Sequence, residues 1–253
     1  MCKKEKADSP QLSSVAAFPR LKIMKIFATS DLHGMLDGLD PSGCDVVVVA
    51  GDFTKLNRFD KLGMLDQKKW VEDKFIPFTQ KHPKTEFVVV PGNHDLIFDT
   101  MKTLIFRDIN FSVDFPDNVH LLVNCGIELK GVKFWGSPNV PIINHMWAFE
   151  SPHRELTEKF SMIPENVDIL VTHSPPRIDG KYLDASLQYG GTRFFGSSEL
   201  TEAILDKTPR FAFCGHIHSG SHEPCEFHKT LIHNVSRVDE NYRIAYQPTV
   251  IEV

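Results

Sequence analysis

The sequence lacks the cysteine pattern of a disulfide-stabilised protein or of a zinc-thiolate site. Its 253 residues include five cysteines, and no two of them form a C-x-x-C pair. Disulfide frameworks and thiolate-bound zinc sites show paired cysteines at short, regular spacings. We therefore expect the cysteines to be small buried residues of a protein in a reducing compartment.

Hydrophobic runs long enough to enter a membrane are also missing. No apolar run approaches the ~18 residues that a membrane-spanning helix needs. The charged residues 1–8 are not followed by the apolar stretch of about 7–15 residues that a secretory signal contains. Both absences predict a cytoplasmic protein that does not bind a membrane.

An excess of positive charge is absent as well. Lys and Arg number 28 against 33 Asp and Glu, so the formal net charge is −5. Proteins that bind long nucleic acids usually carry a basic excess. This balance argues against extended nucleic acid as a partner. It is compatible with a small anionic substrate, and it does not indicate an oligomeric state.

The composition that is present describes a globular chain. A hydrophobic fraction of 42% and the absence of internal repeats are typical of a folded domain. The polar residues 1–20 predict a flexible leader. No linker interrupts the remainder, so we predict a single domain over residues 21–253.

Short apolar runs predict the strands of an α/β fold. The principal runs are Ile23–Ala28, Asp45–Ala50, Phe87–Val90, Ile169–Thr172 and Phe211–Cys214. Because these runs do not alternate with polar residues, the strands are expected to be buried on both faces. Three further runs separated by glycines predict a meander of short strands: His120–Val123, Ile127–Lys130 and Val132–Trp135.

Helices are predicted between these strands. Apolar residues at helical spacing from Met64 to Phe78 predict one helix, which Pro77 should end or kink. The Ser151-Pro152 pair predicts an N-cap followed by the first helical residue, and Ser198 predicts a second N-cap.

Side chains that can bind a metal follow each of the five principal strands. In open α/β sheets, functional groups gather beyond the carboxyl ends of the strands. Glycines at these positions let the backbone turn close to the site. The candidate ligands are Asp31, His33, Asp52, Asn93, His173, His216 and His218.

Two carboxylates, four imidazoles and one amide oxygen are more than one metal ion needs. Asp31 and His33 are two residues apart, so an extended backbone would point both at one ion. His216 and His218 would do the same unless the turn directs them to two ions. We therefore predict two divalent ions that share a bridging carboxylate. Mixed nitrogen and oxygen ligands without cysteine favour Mn, Fe or Zn, and we favour Mn.

Such a pair of ions suits a phosphate ester as substrate. Two ions about 3.5–4 Å apart can bind a phosphoryl group and generate a hydroxide nucleophile. Two divalent ions balanced by Asp31, Asp52 and one hydroxide leave a charge of about +1, which attracts an anionic ester. His94 lies beside a ligand and can protonate the leaving oxygen, while Asp95 can orient or charge His94.

In this order, the motifs resemble those of the calcineurin-like metallophosphoesterase superfamily. Its blocks D-x-H, G-D, G-N-H-[DE], H and G-H-x-H are matched by Asp31-x-His33, Gly51-Asp52, Gly92-Asn93-His94-Asp95, His173 and Gly215-His216-x-His218. The resemblance implies a four-layer α/β/β/α sandwich of two mixed sheets flanked by helices.

The resemblance also implies a role for each matched residue. One metal would be bound by Asp31, His33 and His218, and the second by Asn93, His173 and His216. Asp52 would bridge both ions. His94 would contact the phosphate and act as the general acid, with Asp95 as its partner.

Further segments look like the metallophosphoesterase-domain-containing branch, whose members include metal-dependent cyclic nucleotide phosphodiesterases. These segments are Thr172–Pro176, Gly136–Pro138, Trp147–Phe149 and Ala245–Thr249. The branch often has Glu where this chain has Asp95. The resemblance implies hydrolysis of small phosphodiesters, cyclic nucleotides among them, by attack of a metal-bound hydroxide. The alternatives are a phosphomonoesterase or protein phosphatase of the same superfamily, and a non-catalytic scaffold, which would be expected to lose ligands.

Two aromatic residues of the sequence allow two interpretations. Trp147 and Phe149 can stack on a nucleobase or pack in the core. The cations Arg177, Lys181 and Arg193 lie in the long segment 174–196, where they can bind a second phosphate or remain in solvent.

Overall fold

The computed structural model describes residues 23–186 and 190–253, so the predicted leader over residues 1–20 lies outside it. The strands are β1 Lys25–Thr29, β2 Val46–Ala50, β3 Glu86–Val90, β4 Val119–Leu121, β5 Cys125–Leu129, β6 Val132–Ser137, β7 Val140–Pro141, β8 Glu150–Ser151, β9 Ile169–Thr172, β10 Ala185–Ser186, β11 Arg193–Phe194, β12 Phe211–Cys214, β13 Cys225–Phe227, β14 Thr230–Asn234 and β15 Thr249–Glu252. The α-helices are α1 Lys61–Trp70, α2 Ile76–Gln80, α3 Thr100–Thr103, α4 His153–Ser161 and α5 Ser198–Lys207. A π-helical turn covers Val71–Phe75, and 3-10 turns cover Leu96–Phe98 and Leu104–Phe106. Within the described part of the chain, every helix is too short or too polar to cross a bilayer.

The long strands form two mixed sheets. The first sheet has the order β15-β1-β2-β3-β4, in which β1 to β4 are parallel and β15 is antiparallel to β1. The second has the order β13-β14-β12-β9-β6-β5, in which the four inner strands are parallel and both edge strands are antiparallel.

Alternate residues of each central strand serve two different cores, which explains the unbroken apolar runs. In β2, Val46 and Val48 pack between the two sheets with Ile169 and Phe213 of the second sheet. The intervening residues of β2 face outward, towards the helical layer. Because both faces of the strand are covered, no position in it favours a polar side chain.

Helices cover the outer face of each sheet. The segment from α1 to α2 packs Met64, Val71 and Phe75 on the first sheet. Helices α4 and α5 cover the second sheet through Leu156 and Leu200, among other residues. The layers are therefore helix, sheet, sheet and helix, which confirms the expected sandwich.

The meander prediction is wrong in its connectivity. Strand β4 pairs in parallel with β3 in the first sheet, whereas β5 and β6 form an antiparallel hairpin at the edge of the second sheet. Asn124 separates them with a left-handed φ of 50°. His120 is held in the first sheet by a 2.8 Å contact between its Nε2 atom and Glu86 Oε2. The pairing of β4 with β3 joins residues distant in sequence, such as Phe87 and Val119, whereas the β5–β6 hairpin is local.

The predicted helix boundaries require three corrections. Of the two effects expected of Pro77, it does not end the helical segment: a π-helical turn precedes it, in which the N–H of Ile76 bonds to the carbonyl of Val71. Ser197 rather than Ser198 caps α5, accepting the N–H of Leu200 at 3.2 Å. Pro152 is the N-cap of α4, and Ser151 ends strand β8.

Candidate metal centre

The candidate ligands follow strands of both sheets and meet where these strands end. Strands β1, β2 and β3 of the first sheet lead into Asp31, Asp52 and Asn93. Strands β9 and β12 of the second sheet lead into His173 and His216. The structure therefore brings together residues that are up to 187 positions apart in the sequence, from position 31 to position 218.

One group of ligand atoms lies around Asp31. Donor atoms of Asp31, His33 and His218 are all within 4.8 Å of one another, and the three residues are buried. His218 Nε2 lies 3.4 Å from Asp31 Oδ1 and 3.3 Å from His33 Nε2. The second carboxylate oxygen of Asp31 is fixed by the hydroxyl of Ser236, which donates at 2.7 Å.

A second group lies around Asp52. Donor atoms of Asp52, His173 and His216 are within 4.8 Å of one another. His173 Nε2 lies 3.3 Å from Asp52 Oδ2 and 2.9 Å from the side-chain oxygen of Asn93. These four residues are those predicted for the second ion and its bridge.

Asp52 joins these groups, because it also clusters with His33 and His94. The Nε2 atom of His94 lies 3.8 Å from Asp52 Oδ2, and the backbone N–H of His94 donates to Asp52 Oδ1 at 2.8 Å. The predicted general acid therefore lies directly beside the predicted bridging ligand. His94 is also close enough to act as a ligand itself.

Two histidines are oriented by backbone carbonyl groups. His173 Nδ1 lies 3.0 Å from the carbonyl oxygen of Ala50, and His218 Nδ1 lies 3.1 Å from that of Asp239. A carbonyl can only accept, so Nδ1 carries the proton in each ring and the Nε2 of the neutral ring presents a lone pair. These lone pairs point at carboxylate or amide oxygens. Acceptors that converge in this way fit a bound cation.

Burial and nearby charges shift the pKa values of the histidines in two directions. Burial lowers the pKa of His33 to about 4 and that of His216 to about 3. Burial also acts to lower the pKa of His173, but Asp52 and Asp31 outweigh it and raise the value to about 9. His33 and His216 thus offer lone pairs at neutral pH, whereas His173 must exchange its proton for a metal ion.

The two aspartates are charged despite their burial. Burial acts to raise the pKa of Asp31 and Asp52, but His218 holds the first value and His173 the second below the usual range. Both carboxylates therefore remain available as anionic ligands over the physiological pH range.

Four of the ligand residues have left-handed backbone conformations. The φ angles are 52° for Asp31, 43° for His33, 53° for Asp52 and 70° for His216. Residues with side chains rarely adopt these angles, and such strain persists where the surrounding structure enforces it, commonly at functional sites. Here these backbone conformations direct the four side chains, which follow strands β1, β2 and β12, towards the same metal centre.

Gly51 lies at a position where no side chain can be accommodated. Its φ is +97°, and a Cβ atom there would overlap the imidazole ring of His173. We expect Gly51→Ala to displace His173, to lower the free energy of unfolding by more than about 1 kcal/mol and to weaken metal binding. Thermal unfolding and titration with Mn²⁺ measure the two effects.

Gly43 provides the matched control for this substitution. It has a φ of +80°, but a Cβ atom there would meet no described atom within 4 Å. Gly43→Ala should therefore show the backbone strain alone and bind metal normally. Equal losses of metal affinity in the two variants would contradict the packing role of Gly51.

Asp95 does not contact His94 in the way that the sequence predicted. Its carboxylate accepts the backbone N–H groups of Gly92 at 2.7 Å, Thr54 at 2.8 Å and Phe53 at 3.3 Å. The hydroxyl of Thr54 also donates to it, at 2.6 Å. Asp95 therefore ties the loop after β3 to the loop after β2, and it positions His94 through the backbone.

A cavity of about 220 Å³ opens over the ligand groups. Trp147 lines it, with its ring centroid 4.5 Å from that of His94. Phe149 is instead 8% exposed and packs in the core. Of the two aromatic residues considered from sequence, one therefore faces the cavity and the other serves the fold.

Among the cavity residues that sequence reasoning missed are Glu240 and Tyr242. The ring centroid of Tyr242 lies 4.7 Å from that of His33 and 5.4 Å from that of His218. Both residues follow β14, a strand that the sequence analysis did not predict. The carboxyl end of that strand was the signal that would have identified them.

The cations of segment 174–196 are not among the described residues that line the cavity. Arg177, for example, lies over the ring of Phe194, 5.4 Å from its centroid. Besides the candidate ligands and His94, the charged residue among the described lining residues is Glu240. The described walls therefore contain no cation for a second phosphate.

Known proteins are similar to this chain in sequence or in fold. Human metallophosphoesterase domain-containing protein 1 is 30% identical over 247 residues, which cover 90% of this chain and 71% of the human protein. A UPF0046 protein of Caenorhabditis elegans is 26% identical over 237 residues, covering 91% of this chain and 75% of that protein. A solved structure of a Thermus thermophilus protein aligns with a TM-score of 0.56 and 14% identity, over 84% of this chain and 88% of that chain, which supports the fold alone.

The family comparison agrees with the ligand geometry. The family model described as calcineurin-like phosphoesterase matches residues 24–220, which include every candidate ligand. The chain therefore belongs to the calcineurin-like phosphoesterase family of metal-dependent hydrolases.

Proposed function

We propose that the protein is a binuclear metal-dependent phosphodiesterase that hydrolyses small phosphodiesters, cyclic nucleotides among them. The observation that carries this proposal is the position of Asp52. Its carboxylate clusters on one side with His173 and His216 and on the other with His33 and His94. A single carboxylate between two groups of ligands is the arrangement that a bridged pair of ions requires.

The donor atoms determine which residues would hold each ion. Asp31, His33 and His218 would hold one, Asn93, His173 and His216 would hold the other, and Asp52 would contact both. The mixture of imidazole, carboxylate and amide ligands suits Mn, Fe or Zn, of which we favour Mn. When bound, the ions would supply Lewis acidity to the phosphoryl group and activate water for in-line attack.

His94 would donate the proton to the leaving oxygen. Its ring lines the cavity, and Asp52 and Trp147 fix its position on two sides. The loop that carries it is held by Asp95, as described above. A proton donor at this place would neutralise the alkoxide that forms when the ester bond breaks.

The charge of the site favours a diester over a monoester. Two divalent ions, if bound and balanced by two aspartates and a hydroxide, would leave a charge of about +1, which the one negative charge of a diester would neutralise. A monoester brings up to two negative charges. Glu240, also in the cavity wall, adds repulsion against the additional charge.

The walls of the cavity also support this preference. Beyond the ligand groups, the apolar and aromatic residues that line it are Ile143, Trp147, Phe195, Ile217 and Tyr242. A diester has a second ester group, and these apolar and aromatic side chains can pack against it. A monoester has no such group.

The test compares two substrates with the same leaving group. Protein purified without chelators is assayed on bis(p-nitrophenyl) phosphate and p-nitrophenyl phosphate, before and after EDTA treatment and after readdition of Mn²⁺, Fe²⁺ or Zn²⁺. We expect chelation to abolish hydrolysis, readdition to restore it, and kcat/KM to be higher for the diester. Cyclic nucleotides are then assayed by chromatography of the products.

Other outcomes would identify the alternatives. A higher kcat/KM on the monoester would show a phosphomonoesterase and contradict the diester preference. Failure to bind any of the three ions, together with no hydrolysis of either ester, would show a non-catalytic scaffold.

A further inference from the structure

The segment between β7 and β8 forms one wall of the substrate cavity. Its ends are held together by the pairing of Val140 with Glu150, and the N–H of Val140 donates to the carbonyl of Phe149 at 3.1 Å. Residues 142–146 are exposed to solvent. From this exposed loop, Ile143 and Trp147 reach into the cavity.

The carboxylate of Glu150 occupies the inside of this loop. Its Oε1 atom accepts the backbone N–H groups of Ile143, Asn144 and His145, the last two at 2.8 and 3.0 Å. Its Oε2 atom accepts the N–H of Trp147 at 2.9 Å. One charged group therefore satisfies four backbone donors, and hydrogen bonds to a charged acceptor are stronger than neutral ones.

The loop needs this support because its backbone is strained. His145 and Phe149 have left-handed φ angles of 67° and 57°. Non-glycine residues keep such conformations only where the surrounding contacts enforce them. Apart from Glu150, described contacts that hold the loop include Asp99 Oδ2, which accepts the N–H of Phe149 at 2.8 Å.

The loop is also joined to the metal centre. The N–H of Ala148 donates to the carbonyl of the candidate ligand Asn93 at 3.0 Å. Trp147 packs between the rings of His94 and Phe59, with centroid distances of 4.5 and 4.7 Å. A shift of the loop would therefore move the ring of Trp147 within the cavity where the substrate would bind.

We propose that Glu150 is a positioning residue that sets substrate specificity, by holding Ile143 and Trp147 as the wall that packs against the second ester group of the substrate. This role rests on the proposed phosphodiesterase activity. Among the described residues that line the cavity Glu150 does not appear, and its carboxylate accepts hydrogen bonds from the loop backbone. Its removal should therefore change which diester is preferred while leaving the metal centre intact.

Two variants remove different numbers of the hydrogen bonds that Glu150 accepts from the loop. Glu150→Ala removes all four acceptor bonds. Glu150→Gln keeps the shape and one oxygen, so the amide can retain the three bonds of Oε1, but its NH₂ group then faces the N–H of Trp147. The control is Glu155→Gln, which alters an exposed carboxylate on α4 that lies 3.9 Å from the ammonium group of Lys159.

The experiment compares two diesters that differ only in the second ester group. These are bis(p-nitrophenyl) phosphate, with an aromatic group, and methyl p-nitrophenyl phosphate, with a methyl group. We expect Glu150→Ala to lower kcat/KM for the aromatic diester by about 10-fold or more, mainly through KM, and to change that for the methyl diester by less than about threefold. Glu150→Gln should give a smaller selective loss, and Glu155→Gln none.

Metal content and fluorescence complete the test. Bound Mn²⁺ per chain should be unchanged in Glu150→Ala, and its Trp emission should shift as Trp147 becomes more exposed. An unchanged ratio of the two kcat/KM values in both Glu150 variants would overturn the proposal. If Glu150→Ala does not fold, the Gln variant decides alone. Absence of hydrolysis of both diesters by the wild type would instead contradict the proposed function.

Discussion

Asp52→Ala is expected to abolish metal-dependent hydrolysis, with a fall in kcat/KM of about 10³-fold or more. The substitution removes the anion that clusters with His173 and His216 on one side and with His33 and His94 on the other. Both ions should therefore bind more weakly, and the backbone N–H of His94 loses its acceptor. The measurements are kcat/KM on bis(p-nitrophenyl) phosphate and the number of metal ions bound per chain.

The same variant should lose the stabilisation that a bound metal confers. A ligand that binds only the folded state stabilises it by about 2.7 kcal/mol at a concentration 100 times its Kd. The melting temperature of the wild type should therefore rise on addition of Mn²⁺, and that of Asp52→Ala should not. Without metal, we do not expect Asp52→Ala to have a much lower free energy of unfolding than the wild type. The substitution removes a buried negative charge whose desolvation the wild type must offset with other interactions.

A second substitution of Asp52 separates the effect of its charge from that of its hydrogen bond, and a substitution elsewhere provides the control. Asp52→Asn keeps an oxygen that can accept the N–H of His94 but lacks the negative charge, so it should hold the loop and still lose most activity. Asp66→Ala, an exposed position on α1, is the control and should behave as the wild type. Activity of Asp52→Ala equal to that of Asp66→Ala would exclude the bridging role.

The sequence was sufficient to predict the central strands, because their pattern reports burial directly. The run Val46–Val49 has no polar position, and in the structure its even-numbered residues face the other sheet while its odd-numbered residues face the helices. The candidate ligands were also predictable, since parallel strands place their carboxyl ends at one edge. Both inferences need only local sequence and the geometry of a covered sheet.

Strand pairing and side-chain direction were not predictable in the same way. The run that contains His120 resembles the two runs that follow it in the sequence. In the structure His120 pairs with Val88 in the first sheet, whereas the two later runs form β5 and β6 of the second sheet. Asp95 follows His94 directly, but the turn sends its carboxylate to the backbone of Phe53 and Thr54. Neither outcome follows from local sequence, because each is decided by groups that only the fold brings close.

His94→Asn is expected to lower kcat by about 10²–10⁴-fold, the range of a general acid, while both metal ions remain bound. Asparagine cannot donate a proton to a leaving oxygen, and its shorter side chain reaches less far into the cavity. The metal content of the purified variant and kcat on bis(p-nitrophenyl) phosphate are the first measurements. His228→Asn is the control, since it alters an exposed histidine in the turn between β13 and β14 with a φ of 53°, which asparagine tolerates.

The dependence on the leaving group distinguishes the acid from a metal ligand. A poor leaving group such as phenolate needs protonation more than p-nitrophenolate does, so loss of the acid should slow diphenyl phosphate more than bis(p-nitrophenyl) phosphate. A ligand role would instead slow both substrates equally and reduce the bound metal. His94 lies 3.8 Å from Asp52 Oδ2 and shares a cluster with His33, so both roles are within its reach. Retained metal together with a steeper dependence on the leaving group would assign the acid role, and metal loss would assign His94 to the coordination of an ion.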